Sequence, residues 1–366
     1  MKKKVLYFIH ALCRTRVIKT FREDPDLEQM VVGPKPVVYG GVCEDYSGFG
    51  IKNIQTYSNP KEAQKIINRF APDVVVQTDM MKTVTFPNTA KRVFVMHGLI
   101  GDHVRKQFKP KECKAWKGFD LYCGATEEFE TLVRHAGEKT GQILLNSLPQ
   151  LDLFHKDNYE APDRKAVLKK IGRSGFEKII LFCGFCCKDR IDYNLHNEDY
   201  FKVVAELGKI AAKHNWLILV KPRQDYKEVR SFVVQKGWSK SYGQMYADAQ
   251  KDKHLYFIPA EANIYPYFFA DLIVCNGCST VELEACLVHK PLVIVRTKLS
   301  PDQYDPFGTV KFGAGIYVPD IINLESAIMN GLGGVDIVKQ DAFVRAKGIV
   351  VDGLAHKRIQ EKIKTL

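Results

Sequence analysis

No stretch of this 366-residue chain approaches the roughly 18 apolar residues that a membrane-spanning helix requires. Any membrane contact is therefore expected to be peripheral. There is no short-period repeat and no low-complexity tract, so the chain reads as globular throughout. No zinc-finger, RRM or KH signature appears, and nucleic acid is not an expected partner. The ten cysteines do not form a secreted disulfide scaffold. Cys183, Cys275 and Cys286 sit inside apolar, strand-like runs, which suits reduced thiols in a cytoplasmic protein. The opening Met1-Lys2-Lys3-Lys4 followed by VLYFIHAL superficially resembles a secretory leader. Its apolar run is short, carries His10, and leads into Arg14 and Arg16 without a small-residue cleavage site, so it reads as a first strand.

What is present is ordinary for a folded protein: 46% hydrophobic and 26% charged residues. The length favours two domains, each long enough to bury its own core. A net charge of +12 points to an anionic partner, such as nucleotide phosphates, an anionic acceptor or an anionic membrane face. A solvated lysine-rich surface accounts for the same excess.

Short apolar runs alternate with helical patterns in two successive series. Residues 5–9, 37–39, 73–78, 92–98, 121–126 and 142–147 read as strands of the first series, with helices over 60–70 and 127–136. Residues 178–184, 216–222, 254–259, 271–277 and 291–297 read as strands of the second, with helices over 198–214 and 279–289. Between the series, 152–175 is polar and charged and reads as a linker. Strands that are apolar throughout and alternate with helices imply parallel sheets covered on both faces. The expectation is an α/β chain of two doubly wound, Rossmann-like lobes with a cleft between them. Ligands of such sheets lie beyond the carboxyl ends of the strands, where strand order reverses. The domains are placed at 1–160 for the acceptor side and 172–345 for the donor side. Residues 346–366 form a C-terminal helix that returns to the first lobe.

The sharpest motif is DLIVCNGCSTVELEACLVHKPLVIV over 271–295. A buried strand ends at Cys275, and the small turn Asn276-Gly277-Cys278 opens into a helix at Ser279 and Thr280. Free N–H groups and the positive end of the helix dipole make such a turn an anion site. The two hydroxyls add hydrogen bonds to a diphosphate, and Glu284, in the next turn, is placed to accept from ribose hydroxyls. Ser279 with Glu282 three residues on is equally an ordinary capping box, and the two readings are compatible. Lys221 and Arg223, at a strand end in the second series, are candidate phosphate cations, as are Lys188 and Arg190. In the first series, His97 ends a strand and precedes Gly98. An imidazole there has a pKa suited to taking a proton from an attacking hydroxyl, although local hydrogen bonds explain such a histidine as well. Cys183, Cys186, Cys275 and Cys278 raise the idea of a zinc or iron–sulfur site. Their separation far exceeds that of usual zinc modules, and they read better as small apolar fillers. No resident metal or cofactor is expected.

Together these segments resemble the CDP-glycerol glycerophosphotransferase family, which makes teichoic acid-type polymers. The match runs in order from the His97 region to the C-terminus. Met96-His97-Gly98 stands where the family has Trp-His-Gly. Lys221-Pro222-Arg223-Gln224 stands for Lys-Pro-His-Pro, and Gly277-Cys278-Ser279-Thr280 for Asp-Tyr-Ser-Ser. The ending VVDGLAHKRIQEKI is similar to the family's Asp-Gly-x-Ala-x-x-Arg. The resemblance implies a GT-B fold and transfer of a polyol phosphate, or a glycosyl group, from a nucleotide-activated donor to an acceptor hydroxyl in cell-surface polymer synthesis. It implies His97 as general base, with Ser279 and Thr280 on the donor's phosphates. Arg223 replaces a histidine and cannot titrate. Gly277 and Cys278 replace the aspartate and tyrosine, which leaves the donor, CDP-glycerol or a nucleotide sugar, open. A second resemblance is to the non-hydrolysing UDP-N-acetylglucosamine 2-epimerases, through Ser279, Glu284-Ala285, Lys290-Pro291 and Arg296-Thr297, but without recognisable acidic catalytic residues. Ordinary nucleotide-sugar glycosyltransferases, and a non-catalytic binding protein that kept the cleft, complete the alternatives. The acceptor is expected to be anionic or lipid-linked. Arg105, Lys106, Lys109, Lys111, Lys114 and Lys117, with Phe108 and Trp116, form the candidate contact to an anionic membrane face.

Overall fold

A computed structural model describes residues 2–11, 14–39, 42–44, 46–78, 83–98, 117–184, 197–222, 242–259, 262–275, 280–295, 305 and 307–366. The chain divides into two compact units. One comprises Met1–Val38, Cys43–Glu160 and Ala346–Leu366, the other Tyr39–Val42 and Ala161–Arg345.

The first unit is built on a seven-stranded sheet. Its strands are β1 (Lys3–Phe8), β2 (Leu27–Pro34), β3 (Ile54–Tyr57), β4 (Val74–Gln77), β5 (Lys91–Val95), β6 (Leu121–Cys123) and β7 (Gln142–Leu144). Their order is β3-β2-β1-β4-β5-β6-β7, and every pairing is parallel. This is a doubly wound order that reverses between β1 and β4. After the short α1 (Thr15–Ile18), α2 (Pro60–Phe70) shows how local sequence sets an element. The Asn59 side chain accepts from the Glu62 N–H, Pro60 opens the helix, and Ala71 closes it in a left-handed conformation at φ 50°. Ala63, Ile67 and Phe70, spaced four and three apart, bury one face against Leu6, Phe8, Val32 and Val75. A further helix, α3 (Glu127–His135), packs Phe129, Leu132 and Val133 onto Phe94 and Tyr122.

The C-terminal helix Ala355–Lys364 belongs to this unit. Its first N–H groups, those of Ala355 and His356, donate to the buried Asp152 carboxylate at 3.0 Å each. Its last carbonyls, at Ile363 and Lys364, accept from Lys3 Nζ. Residues of the same unit thus satisfy backbone groups at both ends of the helix.

The second unit holds a six-stranded parallel sheet: β8 (Ile179–Cys183), β9 (Leu217–Lys221), β10 (Leu255–Phe257), β11 (Leu272–Cys275), β12 (Leu292–Val295) and β13 (Ile316–Val318). The order is β10-β9-β8-β11-β12-β13, the same winding as in the first unit. The helices are α4 (Arg164–Lys170), α5 (Asn197–His214), α6 (Tyr242–Gln250), α7 (Thr280–Leu287), α8 (Leu324–Leu332) and α9 (Ile337–Ala346). Val203, Val204, Leu207, Ile210 and Ala211 of α5 pack on Ile180, Ile218 and Val274. Among the described residues no single helix is long and apolar enough to cross a membrane.

Several details depart from the sequence reading. Val37–Tyr39 pairs with Val42–Glu44 in a separate two-stranded ladder, and Leu27–Pro34 takes the place in the large sheet. Gly33 and Pro34 look like turn residues, which masked that strand. The expected linker overlaps the end of the 3-10 turn Pro149–Phe154 and contains the helix α4. Asp163 caps α4 by accepting from the Ala166 N–H.

Candidate active site

In the first unit the strand expected over 92–98 ends at Val95, so Met96 and His97 lie just past the carboxyl end of β5. The Met96 N–H donates to the Cys123 carbonyl at 2.9 Å, which fixes the exit direction. The half-buried His97 places Nδ1 3.1 Å from the carbonyl oxygen of Thr78, which follows the adjacent strand β4. A carbonyl only accepts, so Nδ1 donates to it, and in the neutral ring the lone pair is then on Nε2. This is the tautomer a general base requires. No side-chain pattern announces it, because its partner is a backbone oxygen brought up by strand pairing.

In the second unit strand order reverses between β8 and β11, where Cys183 and Cys275 are register partners. Lys221 ends β9 on the other side of Cys183. The reversal point therefore sits at the sequence motif of 271–295. Thr280 begins α7, while Asn276, Gly277, Cys278 and Ser279 lie outside the described residues, as do Arg223, Lys188 and Arg190. The structure brings Lys221, Cys183 and Glu284 together. Burial pushes the Cys183 thiol up, Lys221 opposes that rise and Glu284 adds to it. Cys183 is consequently a neutral thiol and a poor nucleophile. Lys221 Nζ donates to the carbonyls of Pro222 at 3.1 Å and Pro259 at 3.4 Å. Glu284 is fully buried in the second turn of α7. Glu282, in the first turn, is also buried, and one of its oxygens accepts from the Thr309 hydroxyl at 2.7 Å. Spacing alone suggested a capping role for Glu282 and gave no sign of Thr309.

Cys186 and Cys278 lie outside the described residues, and so does the basic segment 105–116. Among the described residues no group of three or more His, Cys, Asp or Glu side chains converges as a metal site.

No protein-family model matches the chain, and no curated protein does. Solved structures do match over its whole length. The wall teichoic acid polymerase TagF, in a CDPG-soaked form, superposes with a TM-score of 0.61 at 12% identity, covering 100% of this chain and 88% of that one. UDP-GlcNAc 2-epimerase from Neisseria meningitidis bound to UDP-GlcNAc gives 0.58 at 12% identity, covering 99% and 100%. Another UDP-N-acetylglucosamine 2-epimerase gives 0.58 at 12%, covering 99% and 96%. The class is thereby defined: two Rossmann-like units, each with a parallel doubly wound sheet, in the GT-B fold of these proteins. Likeness at this identity establishes the fold, and function has to be argued from the site.

Proposed function

We propose that this protein is a GT-B transferase that moves a glycerophosphate-type or glycosyl group from a nucleotide-activated donor to an acceptor hydroxyl. The observation that carries the proposal is where the described ends of β11 and α7 fall. Cys275 ends β11 next to Cys183 at the strand-order reversal of the second sheet, Lys221 ends β9 on the far side of Cys183, and α7 begins at Thr280. The donor's diphosphate binds at 276–280, with Thr280, Ser279 and the cations Lys221 and Arg223 around it. Lys188 and Arg190 are secondary candidates for the same phosphates, and Glu284 takes part through the nucleoside side of the donor.

His97 is the proposed general base. Its Nε2 takes the hydroxyl proton as the acceptor oxygen bonds to phosphorus or to the anomeric carbon. The bond to the leaving nucleotide then breaks, with its negative charge held at the helix N-terminus and by the cations. The Thr78 carbonyl keeps the ring in the basic tautomer and stabilises the imidazolium that forms. The +12 charge supports an anionic acceptor, lipid-linked or polymeric, met at the inner membrane face through the segment 105–117.

Calorimetric titration with CDP-glycerol, UDP-sugars and free nucleotides tests the reading and separates the donor classes. The similar fold likeness to UDP-N-acetylglucosamine 2-epimerases sustains one second reading. Interconversion of UDP-GlcNAc with its 2-epimer in the absence of any acceptor would select it. Nucleotide binding without turnover of any donor would leave a binding protein.

A further inference from the structure

The C-terminal helix has two faces. Ala355, Ile359, Gln360 and Ile363 are buried. Leu354, Lys357, Arg358, Glu361, Lys362 and Thr365 recur at helical spacing and form one stripe on the opposite face. That stripe, with the half-buried Leu144 at the end of β7, lines a groove of about 550 Å³, a size usual for a small-molecule site. Every lining residue belongs to the first unit. Arg358 is already committed, since its Nε donates to the Asn146 carbonyl at 2.8 Å and its Nη1 to Asp352 at 2.7 Å. Glu361, the one acid in the lining, accepts from Lys364 at 3.1 Å. Among the described residues no carboxylate pairs with Lys357 or Lys362. At 3.6 residues per turn these two lysines stand about 140° apart around the helix, one on each border of the stripe, and about 7.5 Å apart along it. Leu354 is 47% exposed. It occupies the N-cap position without a cap bond, where Ser, Thr, Asn or Asp would stabilise the helix better.

We infer that this groove binds an anionic phospholipid. The lipid phosphate lies between the Lys357 and Lys362 ammonium groups. Its glycerol and the first carbons of its acyl chains lie against Leu144 and Leu354. A free inorganic anion has no use for the leucine wall, and a purely apolar ligand has none for two unpaired cations. A phosphate joined to hydrocarbon uses both. Long lysine stems cover apolar surface while their heads reach the phosphate, and each lysine near an anionic lipid surface adds to binding. The residues are distinct from the segment 105–117 and from the candidate donor site. The inference does not rest on the transferase reading, because the groove lies within the first unit and none of its residues takes part in the proposed transfer.

The test titrates the full chain calorimetrically with three soluble probes, each below its micelle concentration: dihexanoyl-phosphatidylglycerol, dihexanoyl-phosphatidylcholine and sn-glycerol 3-phosphate. The anionic lipid is expected to bind about tenfold or more tightly than either of the others. Lys357→Gln/Lys362→Gln keeps good helix formers on an open face and should weaken the anionic lipid about tenfold or more, with Tm unchanged. Leu354→Asn supplies a better N-cap, so the helix is kept while the apolar wall is lost, and lipid affinity should fall as well. Equal affinity for the two lipids would overturn the inference, as would wild-type lipid affinity in the double glutamine variant, which would place the lipid elsewhere on the chain. Glycerol phosphate binding as tightly as the anionic lipid, or an unchanged Leu354→Asn variant, would also overturn it, because the site would then take a bare phosphate. Titration of the same variants with CDP-glycerol and UDP-GlcNAc should match wild type, so a failure here and a failure of the transferase reading are read separately.

Discussion

Glu138 offers a quantitative test of the first unit, because its carboxylate gathers five hydrogen bonds from backbone and side chains. Oε1 accepts from the N–H groups of Thr140 (2.9 Å) and Gly141 (3.1 Å) and from the Thr140 hydroxyl (2.9 Å). Oε2 accepts from the Gly118 N–H (2.9 Å) and the Tyr122 hydroxyl (3.0 Å). Glu138 is 6% exposed, and it ties the approach to β6 to the approach to β7. Burial by itself would raise this carboxyl's pKa. The N–H groups of Gly118, Thr140 and Gly141, with the Thr140 hydroxyl, outweigh burial and hold it well below the usual range. Burial, with Glu138 adding to it, keeps Tyr122 a neutral donor. Glu138→Ala orphans three N–H groups and the Tyr122 hydroxyl. An orphaned buried donor costs about 1–3 kcal/mol, and water reaches some of these, so the expected loss is about 3–5 kcal/mol. Glu138→Gln keeps one acceptor oxygen and places an amide donor against the others, for about 2–3 kcal/mol.

The sign with pH follows from the depressed pKa. The ionised carboxylate's contribution is fully present above the unfolded value, near the ordinary 4.5, and is lost as pH falls towards the folded value. Urea unfolding followed by circular dichroism should therefore show the gap between wild type and Glu138→Gln widest at pH 7 and narrowing below about pH 4.5. Amide hydrogen exchange at Gly118, Thr140 and Gly141 should accelerate in Glu138→Ala. An alanine variant within about 0.5 kcal/mol of wild type, the level of an ordinary surface change, would refute the reasoning.

Three further outcomes are expected. His97→Ala should lower turnover by roughly 100-fold or more while donor affinity stays close to wild type, read as product formation against calorimetric binding in the same variant. Ser279→Ala/Thr280→Ala should weaken nucleotide binding, measured by titration; unchanged affinity with a less stable helix would leave these hydroxyls as caps alone. Asp152→Ala removes the acceptor at the start of the C-terminal helix, including its 2.7 Å contact with His356 Nδ1. It should cost about 2–3 kcal/mol and raise proteolytic cleavage over 346–354.

The chain's own pattern determined its class. Apolar runs such as Ile179–Cys183 and Leu272–Cys275 are long enough for strands and too apolar for a half-exposed sheet. Their alternation with helical stretches such as 198–214 leaves parallel, doubly covered sheets as the consistent arrangement. Local chemistry also placed helix ends well, since Asn59, Pro60 and Glu62 act on backbone groups within a few residues. It failed where partners are remote. Leu27–Pro34 ends in the turn-like Gly33-Pro34 and does not read as a strand; its pairing with β1 on one side and β3 on the other makes it one. At the candidate site, His97 and the 271–295 motif were legible as residue types at strand ends. The tautomer of His97 was not, because the Thr78 carbonyl comes from another strand. The same holds for the bond between Glu282 and Thr309 and for the Asp152 acceptor of the C-terminal helix. These depend on groups that meet only after sheets and helices have packed, and a carbonyl, a hydroxyl or a carboxylate 19 to 204 positions away leaves no periodic trace in the sequence.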